Sequence, residues 1–543
     1  MNHLYFGDCL DVLQELHQNY PQPFIDLIYI DPPFNSKRNY NVLFESIGMQ
    51  DANAQKQAFA DTWSNVSYMD EMHMLADLDK DLYDVLQVFD KTKSISNGAV
   101  AYLTTMAHRL WYMHKLLKDT GSFYLHCDPT MSHYLKLLCD MLFGEDNFRN
   151  EIIWQRTSAR SDSKKWNHIH DTILLYTKSD KYTWNKQYIA YDEAYTEKFY
   201  RFVEPETGRR YASDNLTAAG TREGSSGNTW RGINVKGKGL HWKYTTEKLD
   251  VLDKEGRIIW PQKEGGVPRF KRYLDEMKGL AIQSIVDDIP PLSASSAEKL
   301  GYPTQKPEAL LERIVSASSN EGDVVADFFC GCGTSISVAQ RLNRKWLGAD
   351  ISHLAVRLIL KRLIDTYGEG VKDNVKLHGF PKDVASAKML AQDTENGRFG
   401  FQEWVIEVLL HGVVNIKKVA DGGFDGYLTY QTDKAKEFVL IETKSGGVNV
   451  KNIREFVQVI DKQKAAAGIF VCFADTVTKE MLKEAKAAGH IKLGTMDTGL
   501  DKIQIITVDD LLNGKQPNLP NISSTFKKAQ KKETKGSSYG LFD

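Results

Sequence analysis

Ile25-Asp26-Leu27-Ile28-Tyr29-Ile30-Asp31-Pro32-Pro33-Phe34 is an apolar run that stops abruptly in an acid, two prolines and an aromatic ring. The prolines fix φ and remove two N–H donors, so neither a sheet ladder nor a helix continues through them. The pattern predicts a short buried strand with a stiff loop at its C-terminal end, the edge where open α/β sheets hold ligands. That loop offers the Asp31 carboxylate, the Pro32 carbonyl and the Phe34 ring, with Pro33 maintaining its shape. Together they can grip a planar base carrying an exocyclic amine. The amine would donate to the carboxylate and the carbonyl, and the ring would stack on Phe34.

A second stretch has complementary chemistry. Val324-Val325-Ala326-Asp327-Phe328-Phe329-Cys330-Gly331-Cys332-Gly333-Thr334-Ser335 predicts a strand, an acid, a glycine turn and a helix that continues to Leu342. The glycines let backbone approach a ligand closely. The next strand, Lys345 to Ala349, ends at Asp350, placed to take ribose hydroxyls. There is no Gly-Lys-Ser/Thr, which excludes a triphosphate loop.

Asp-Pro-Pro-Phe together with Phe329-x-Gly331-x-Gly333 resembles the DNA amino-methyltransferases that use S-adenosylmethionine. The first motif precedes the second by about 300 residues, an order that resembles the β class, in which the target-recognition region lies between them. Thr304-Gln305-Lys306-Pro307 resembles a further cofactor motif of that class, and Gly121 to Asp128 another of its strands. The resemblance covers about residues 1–385. It implies a Rossmann-like α/β sheet and a base flipped out of double-stranded DNA. It also implies methyl transfer to an exocyclic nitrogen at Asp31, Pro32, Pro33 and Phe34. Cofactor contacts would come from Asp327 near the methionine amino end, Phe329, Gly331, Gly333 and Thr334 around the turn, Asp350 at the ribose, and Thr304, Lys306 and Pro307. Adenine N6 is favoured over cytosine N4, because the family's N4 enzymes more often carry serine in place of Asp31. Phe34 stands where tyrosine is commoner, which keeps stacking and loses a hydroxyl. No Pro-Cys dipeptide occurs, against a ring-carbon cytosine enzyme with thiolate attack.

The 543 residues suit two to four domains. Lys plus Arg is 69 and Asp plus Glu is 71, a net charge of −2, which neither requires nor excludes nucleic acid, since binding needs only a basic face. Six cysteines without a CxxC pair fit a reduced cytoplasmic enzyme rather than a disulfide scaffold or zinc site. No signal peptide or membrane-length apolar run is visible. Residues 1–180 alternate strands and helices, with helices expected near Ala101–Lys118 and Thr130–Leu142. Residues 181–299 gain Arg, Lys, Gly and Trp, as in Trp230-Arg231-Gly232 and Trp242-Lys243-Tyr244, a composition suited to phosphates and splayed bases; an ordinary surface insertion is the alternative. Residues 300–385 complete the sheet, and 386–398 form a linker. The β-class resemblance also allows a homodimer.

Residues 399–514 form a second pattern: a helix near Phe401–Leu410, Gly422-Gly423-Phe424-Asp425, a strand ending in Glu442-Thr443-Lys444, and a helix near Ile453–Ala467. Glu442 and Lys444 would share one strand face, with Asp425 beside them. Two carboxylates and a lysine can hold Mg²⁺ and orient a water at a phosphodiester. The pattern resembles the PD-(D/E)xK nuclease core, most like the Mrr-type restriction endonuclease domain, with Asp425 and Glu442 as metal ligands, Lys444 completing the catalytic set, and Glu403 as an accessory acid. Phe424 stands where that family's name has proline. The alternative is a degenerate domain that only binds DNA. Residues 515–543 carry six lysines and two acids and read as a basic disordered tail whose Leu541-Phe542 could bind a partner. An RNA or protein methyltransferase, or a nuclease-led restriction enzyme, are the other function classes considered.

Overall fold

The computed structural model describes residues 2–33, 68–157, 164, 166–263, 265–293, 295–300, 302, 304–392, 397–415, 423–431, 436–493 and 496–520. Phe34, Gly422, Leu541 and Phe542, with tail residues 521–543 as a whole, lie outside these. The chain divides into two compact units, Met1–Asn185 with Ser284–Asp543, and Lys186–Gln283.

The first unit is α/β and contains a nine-stranded sheet. Its order is Ile285–Val286, Phe148–Gln155, His170–Thr177, Leu117–Cys127, Ile25–Ile30, Val324–Asp327, Lys345–Asp350, Asn2–Phe6 and Val375–His378. Only His170–Thr177 runs antiparallel to its neighbours; the other pairs are parallel. A parallel sheet is covered on both faces, which is why its central strands read as unbroken apolar runs. Side chains alternate between two cores. Ile28, Ile30, Phe123 and Ala326 pack against the helices Cys9–Asn19, Asn97–Leu116 and Ser132–Phe143. Leu27, Tyr29, Tyr124 and Val325 pack against Glu308–Ser318, Thr334–Arg341 and His353–Tyr367. The helix expected at Ala101–Lys118 begins at Asn97, because Ser96 Oγ accepts from Ala99 N at 3.2 Å, and it ends at Leu116, because Leu117 already enters the strand.

The same unit carries a five-stranded sheet in the order Val413–Val414, Gly426–Gln431, Lys436–Thr443, Ala467–Cys472 and Ile503–Thr507. Its first two pairings are antiparallel and its last two parallel. The helix Val450–Gln463 starts at an Asn449 capping box and closes on Lys464, whose φ is +55°, so Ala467 belongs to the next strand and not to the helix. The helix expected at Phe401–Leu410 is instead an α-helix, Gly397–Glu403, running into a π-helical segment, Trp404–Leu409.

The second unit has a four-stranded antiparallel sheet, Ile258–Ile259, Arg269–Tyr273, Arg210–Asn215 and Phe202–Val203. Its small core holds Trp230 and Trp242 with Leu216, Val235, Leu249 and Leu252. Trp230 Nε1 donates to Asp250 Oδ1 at 2.9 Å and Trp242 Nε1 to the Asn228 carbonyl at 3.0 Å. These two indoles, which composition offers for base contact, are therefore interior, while Arg231, Tyr244 and Trp260 are exposed. Among the described residues no helix is long and apolar enough to cross a membrane.

Candidate active site

The strands Ile25–Ile30 and Val324–Asp327 are direct neighbours, with Leu27 opposite Val325 and Ile28 opposite Ala326. The chain leaves the first strand towards Leu117–Cys127 and the second towards Lys345–Asp350, so a crevice opens between their C-terminal ends. Asp31, Pro32 and Pro33 line it from one side, and Asp327, Phe329, Gly331 and Thr334 from the other, with Asp350, Thr304 and Lys306 completing the wall. Gly333 and Pro307 shape the backbone without lining the cavity.

Each acid in this cavity has defined partners. Asp327 Oδ2 accepts from Ser335 Oγ at 2.5 Å and its Oδ1 from Phe329 N at 3.0 Å. Asp350 Oδ2 accepts from Gly331 N at 2.8 Å and its Oδ1 from Ser352 N at 2.9 Å. Every one of these oxygens retains a second lone pair. Burial pushes the Asp327 carboxyl up to about 7 and the Asp350 carboxyl up to about 6, against the pull of those hydrogen bonds. The turn that makes them possible needs its glycines. Gly331 has φ +50°, and a Cβ there would stand 3.1 Å from the Tyr302 ring. Gly333 has φ +73° and starts the helix Thr334–Arg341.

Lys306 Nζ donates to Asp31 Oδ2 and also approaches the Thr304 carbonyl at 3.4 Å. Its loop is held by Gln305, which accepts from Leu300 N at 2.8 Å and donates to the Glu298 carbonyl at 2.6 Å. Pro307 then opens the helix Glu308–Ser318. The lysine expected at the cofactor thus sits on the acid expected at the substrate.

Further polar residues are not singled out by the motifs: Tyr29, Arg109 and Asp8 line the cavity, and His126, inside the Gly121–Asp128 stretch, and Asp171 are linked to Tyr29. Tyr29, inside the apolar run, directs its hydroxyl to His126 Nδ1 at 2.9 Å, and His126 Nε2 meets Asp171 Oδ2 at 3.2 Å. Burial opposes ionising Asp171, yet the His126 hydrogen bond and the His126, Lys306 and Arg156 charges hold its carboxyl below the usual range. Arg109 Nη2 clamps Asp8 at 2.7 and 3.0 Å. The one available signal was polar residues on strands and helices otherwise apolar.

In the C-terminal sheet, Asp425 N donates to the Ile441 carbonyl at 2.9 Å, which sets Asp425 across the ladder from Glu442. Its Oδ2 accepts from Thr443 N at 2.7 Å and Thr443 Oγ1 at 3.0 Å. Lys444 Nζ pairs with Glu442 Oε1 at 2.6 Å. The three residues are together, each acid already engaged by a neighbour. Among the described residues no group of three or more His, Cys, Asp or Glu could hold a metal ion. Glu403 lies within electrostatic reach of Glu407, whose carboxyl is pushed up to about 8 by burial, with the Glu403 charge adding to the shift and Arg357 opposing it.

Comparison with known proteins follows this division. The family described as "DNA methylase" matches residues 25–361, and the family described as "NACHT-associated inactive Restriction Endonuclease 1" matches residues 400–513. The Type II methyltransferase M.EcaI of Enterobacter cloacae is 37% identical over 263 residues, 48% of this chain and 57% of that protein. The Type III restriction-modification enzyme StyLTI Mod subunit of Salmonella typhimurium is 28% identical over 356 residues, 62% of this chain and 50% of that protein. The chain thus spans about half the length of these curated relatives. Among solved structures, the PvuII DNA methyltransferase (cytosine-N4-specific) aligns at 14% identity and TM-score 0.34, over 70% of this chain and 95% of that one.

Proposed function

Since the chain belongs to the DNA methylase family, matched over residues 25–361, we propose that it methylates the exocyclic N6 of adenine in double-stranded DNA, as the modification arm of a restriction–modification system. The observation that carries this reading is the meeting of two loops about 300 residues apart in sequence at one crevice, an acid–proline–proline loop beside a glycine turn between two buried acids. The residues fit S-adenosylmethionine. A Cβ at Gly331 would crowd the Tyr302 ring, so the turn leaves backbone-close space there. Asp350 offers acceptors for ribose hydroxyls, and Asp327 offers one for an ammonium. Gly331, Gly333, Phe329, Thr334, Thr304, Lys306 and Pro307 would form the rest of the cradle.

When bound, this cofactor supplies an electrophilic methyl group. Asp31 and the Pro32 carbonyl accept the two hydrogens of the target amine and aim its lone pair. Pro32 and Pro33 keep that acceptor pair in place, and Phe34 would stack on the base. Asp31 would also be placed to take up the proton that the amine loses once it is methylated. Much of the rate gain is positional, because nucleophile, carbon and sulfur must lie in line. The base is reached by flipping it out of the duplex. Asp31, rather than serine, supports adenine over cytosine.

The test incubates purified protein with unmethylated plasmid, S-adenosylmethionine and Mg²⁺, with base-resolved sequencing and a gel as readouts. N6-methyladenine at one motif, lost with Asp31→Ala, supports the proposal. N4-methylcytosine overturns the adenine assignment, and no methylated base overturns DNA as the substrate in favour of RNA or protein. The same samples test a second activity at Asp425, Glu442 and Lys444. The Thr443 and Lys444 contacts make these acids a poor fit for Mg²⁺ as they stand, so no step is derived through the metal. Mg²⁺-dependent cutting lost with Lys444→Ala would establish an endonuclease, and uncut plasmid a nuclease-derived domain without cleavage.

A further inference from the structure

The ion pair between Lys306 and Asp31 joins residues 275 positions apart in sequence. Under the methyltransferase reading, Asp31 must accept a hydrogen from the target amine. Its Oδ2 already accepts one from an ammonium, a charged donor that competes with a neutral amine for the carboxylate. The pair is well shielded, with side-chain exposures of 10% for Lys306 and 16% for Asp31. Removing one partner from a shielded pair is costly unless another ion replaces it. Lys306 therefore needs a second anion before it can leave.

Of the described residues that line the cavity, Lys306 and Arg109 are the two cations. Arg109 is committed to both oxygens of Asp8 and to the Thr105 carbonyl, with Glu71 at 3.7 Å. Lys306 is different. It carries a point charge on a flexible stem with three rotatable donors, and its electrostatic reach extends to Cys332, which also lines the cavity, and to the buried Asp171.

We propose that Lys306 is an exchangeable cation, paired either with Asp31 or with the carboxylate at the methionine end of the cofactor, so that cofactor binding uncovers Asp31 for the target amine. Lys306 is then a positioning residue that orders the reaction, cofactor before base. This rests on the methyltransferase reading above.

The test is equilibrium calorimetry of S-adenosylhomocysteine on the full chain. This ligand has the carboxylate but not the sulfonium charge, so direct attraction to Asp31 does not enter. Asp31→Asn releases Lys306 and should tighten binding about 3–10-fold. Lys306→Met should weaken binding about tenfold, and in that background Asp31→Asn should change it less than about twofold. Lys306→Arg keeps a cation and should keep the tightening. The decarboxylated analogue S-adenosyl-3-thiopropylamine should bind wild type and Asp31→Asn alike. Unchanged or weaker binding in Asp31→Asn, or equal tightening with Lys306→Met present, overturns the exchange. Failure of the wild type to bind S-adenosylhomocysteine at all overturns the methyltransferase reading, and this proposal with it.

Discussion

Gly333→Ala is the sharpest structural test of the cofactor turn. Gly333 sits at φ +73°, and an added Cβ would lie 2.5 Å from Ile359 Cγ1, 3.2 Å from its Cδ1 and 3.3 Å from its Cβ. Two separate costs follow. Placing an L side chain in the left-handed region costs about 1–2 kcal/mol. Ile359 is 1% exposed and packed in the second core, and its branched Cβ makes it stiff, so it cannot simply swing away. Overpacking of this kind costs about 1–3 kcal/mol. Together they predict a loss of about 2–5 kcal/mol, which is about 2–5 °C in the midpoint of a unit of this size. Differential scanning calorimetry at one fixed scan rate measures it. Ile359→Ala separates the two costs. It removes Cγ1 and Cδ1, costs about 2–5 kcal/mol by itself, and should reduce the further penalty of Gly333→Ala to the backbone part, about 1–2 kcal/mol. A midpoint shift below about 1 °C for Gly333→Ala, or the same penalty in both backgrounds, refutes the steric argument.

Three further outcomes are expected. Asp31→Asn should lower methyl incorporation into DNA by about 10²–10⁴-fold while S-adenosylhomocysteine still binds; a loss under about tenfold would remove Asp31 from the chemistry. The raised Asp327 and Asp350 carboxyls, about 7 and about 6, are largely neutral at pH 5.5 and ionised at pH 8. The preference for S-adenosylmethionine over its uncharged-sulfur product should therefore rise across that interval and flatten in Asp327→Asn, and a pH-independent preference would contradict the electrostatic assignment. Glu407, pushed up to about 8, favours the folded state below the usual carboxyl range and loses that contribution as pH rises through about 8. Glu407→Gln should therefore raise the thermal midpoint at pH 8.5 relative to wild type and leave it unchanged at pH 5, and a parallel shift at both pH values would show that the carboxyl does not titrate there.

The two loops of the crevice were legible because their chemistry is local. An apolar strand cut off by Asp31-Pro32-Pro33, and another cut off by Asp327 and a glycine turn, can only present those residues at a sheet edge. The linked polar residues Tyr29, His126 and Asp171 were not legible as a set, because only the tertiary register of Ile25–Ile30 with Leu117–Cys127, and of that strand with His170–Thr177, brings them together; Arg109, on the helix Asn97–Leu116, meets Asp8 instead. Trp230 and Trp242 show a different limit. A basic, aromatic segment can be a recognition surface or a small domain with a charged rim, and composition does not distinguish an indole inside from one outside. The lysines show the deepest one. Residues i and i+2 of a strand share a face, so Glu442 and Lys444 are as well placed to neutralise each other as to hold a cation, and they do neutralise each other. Lys306 does the same with Asp31 across the crevice. In both sites the motif supplies an inventory of charges and the fold decides their pairing. Any ligand must then displace an existing partner, so its affinity measures the exchange rather than the contact alone. That is why the double substitution at Asp31 and Lys306 reports on mechanism: it tests whether the tightening in Asp31→Asn passes through Lys306, which neither single change shows by itself.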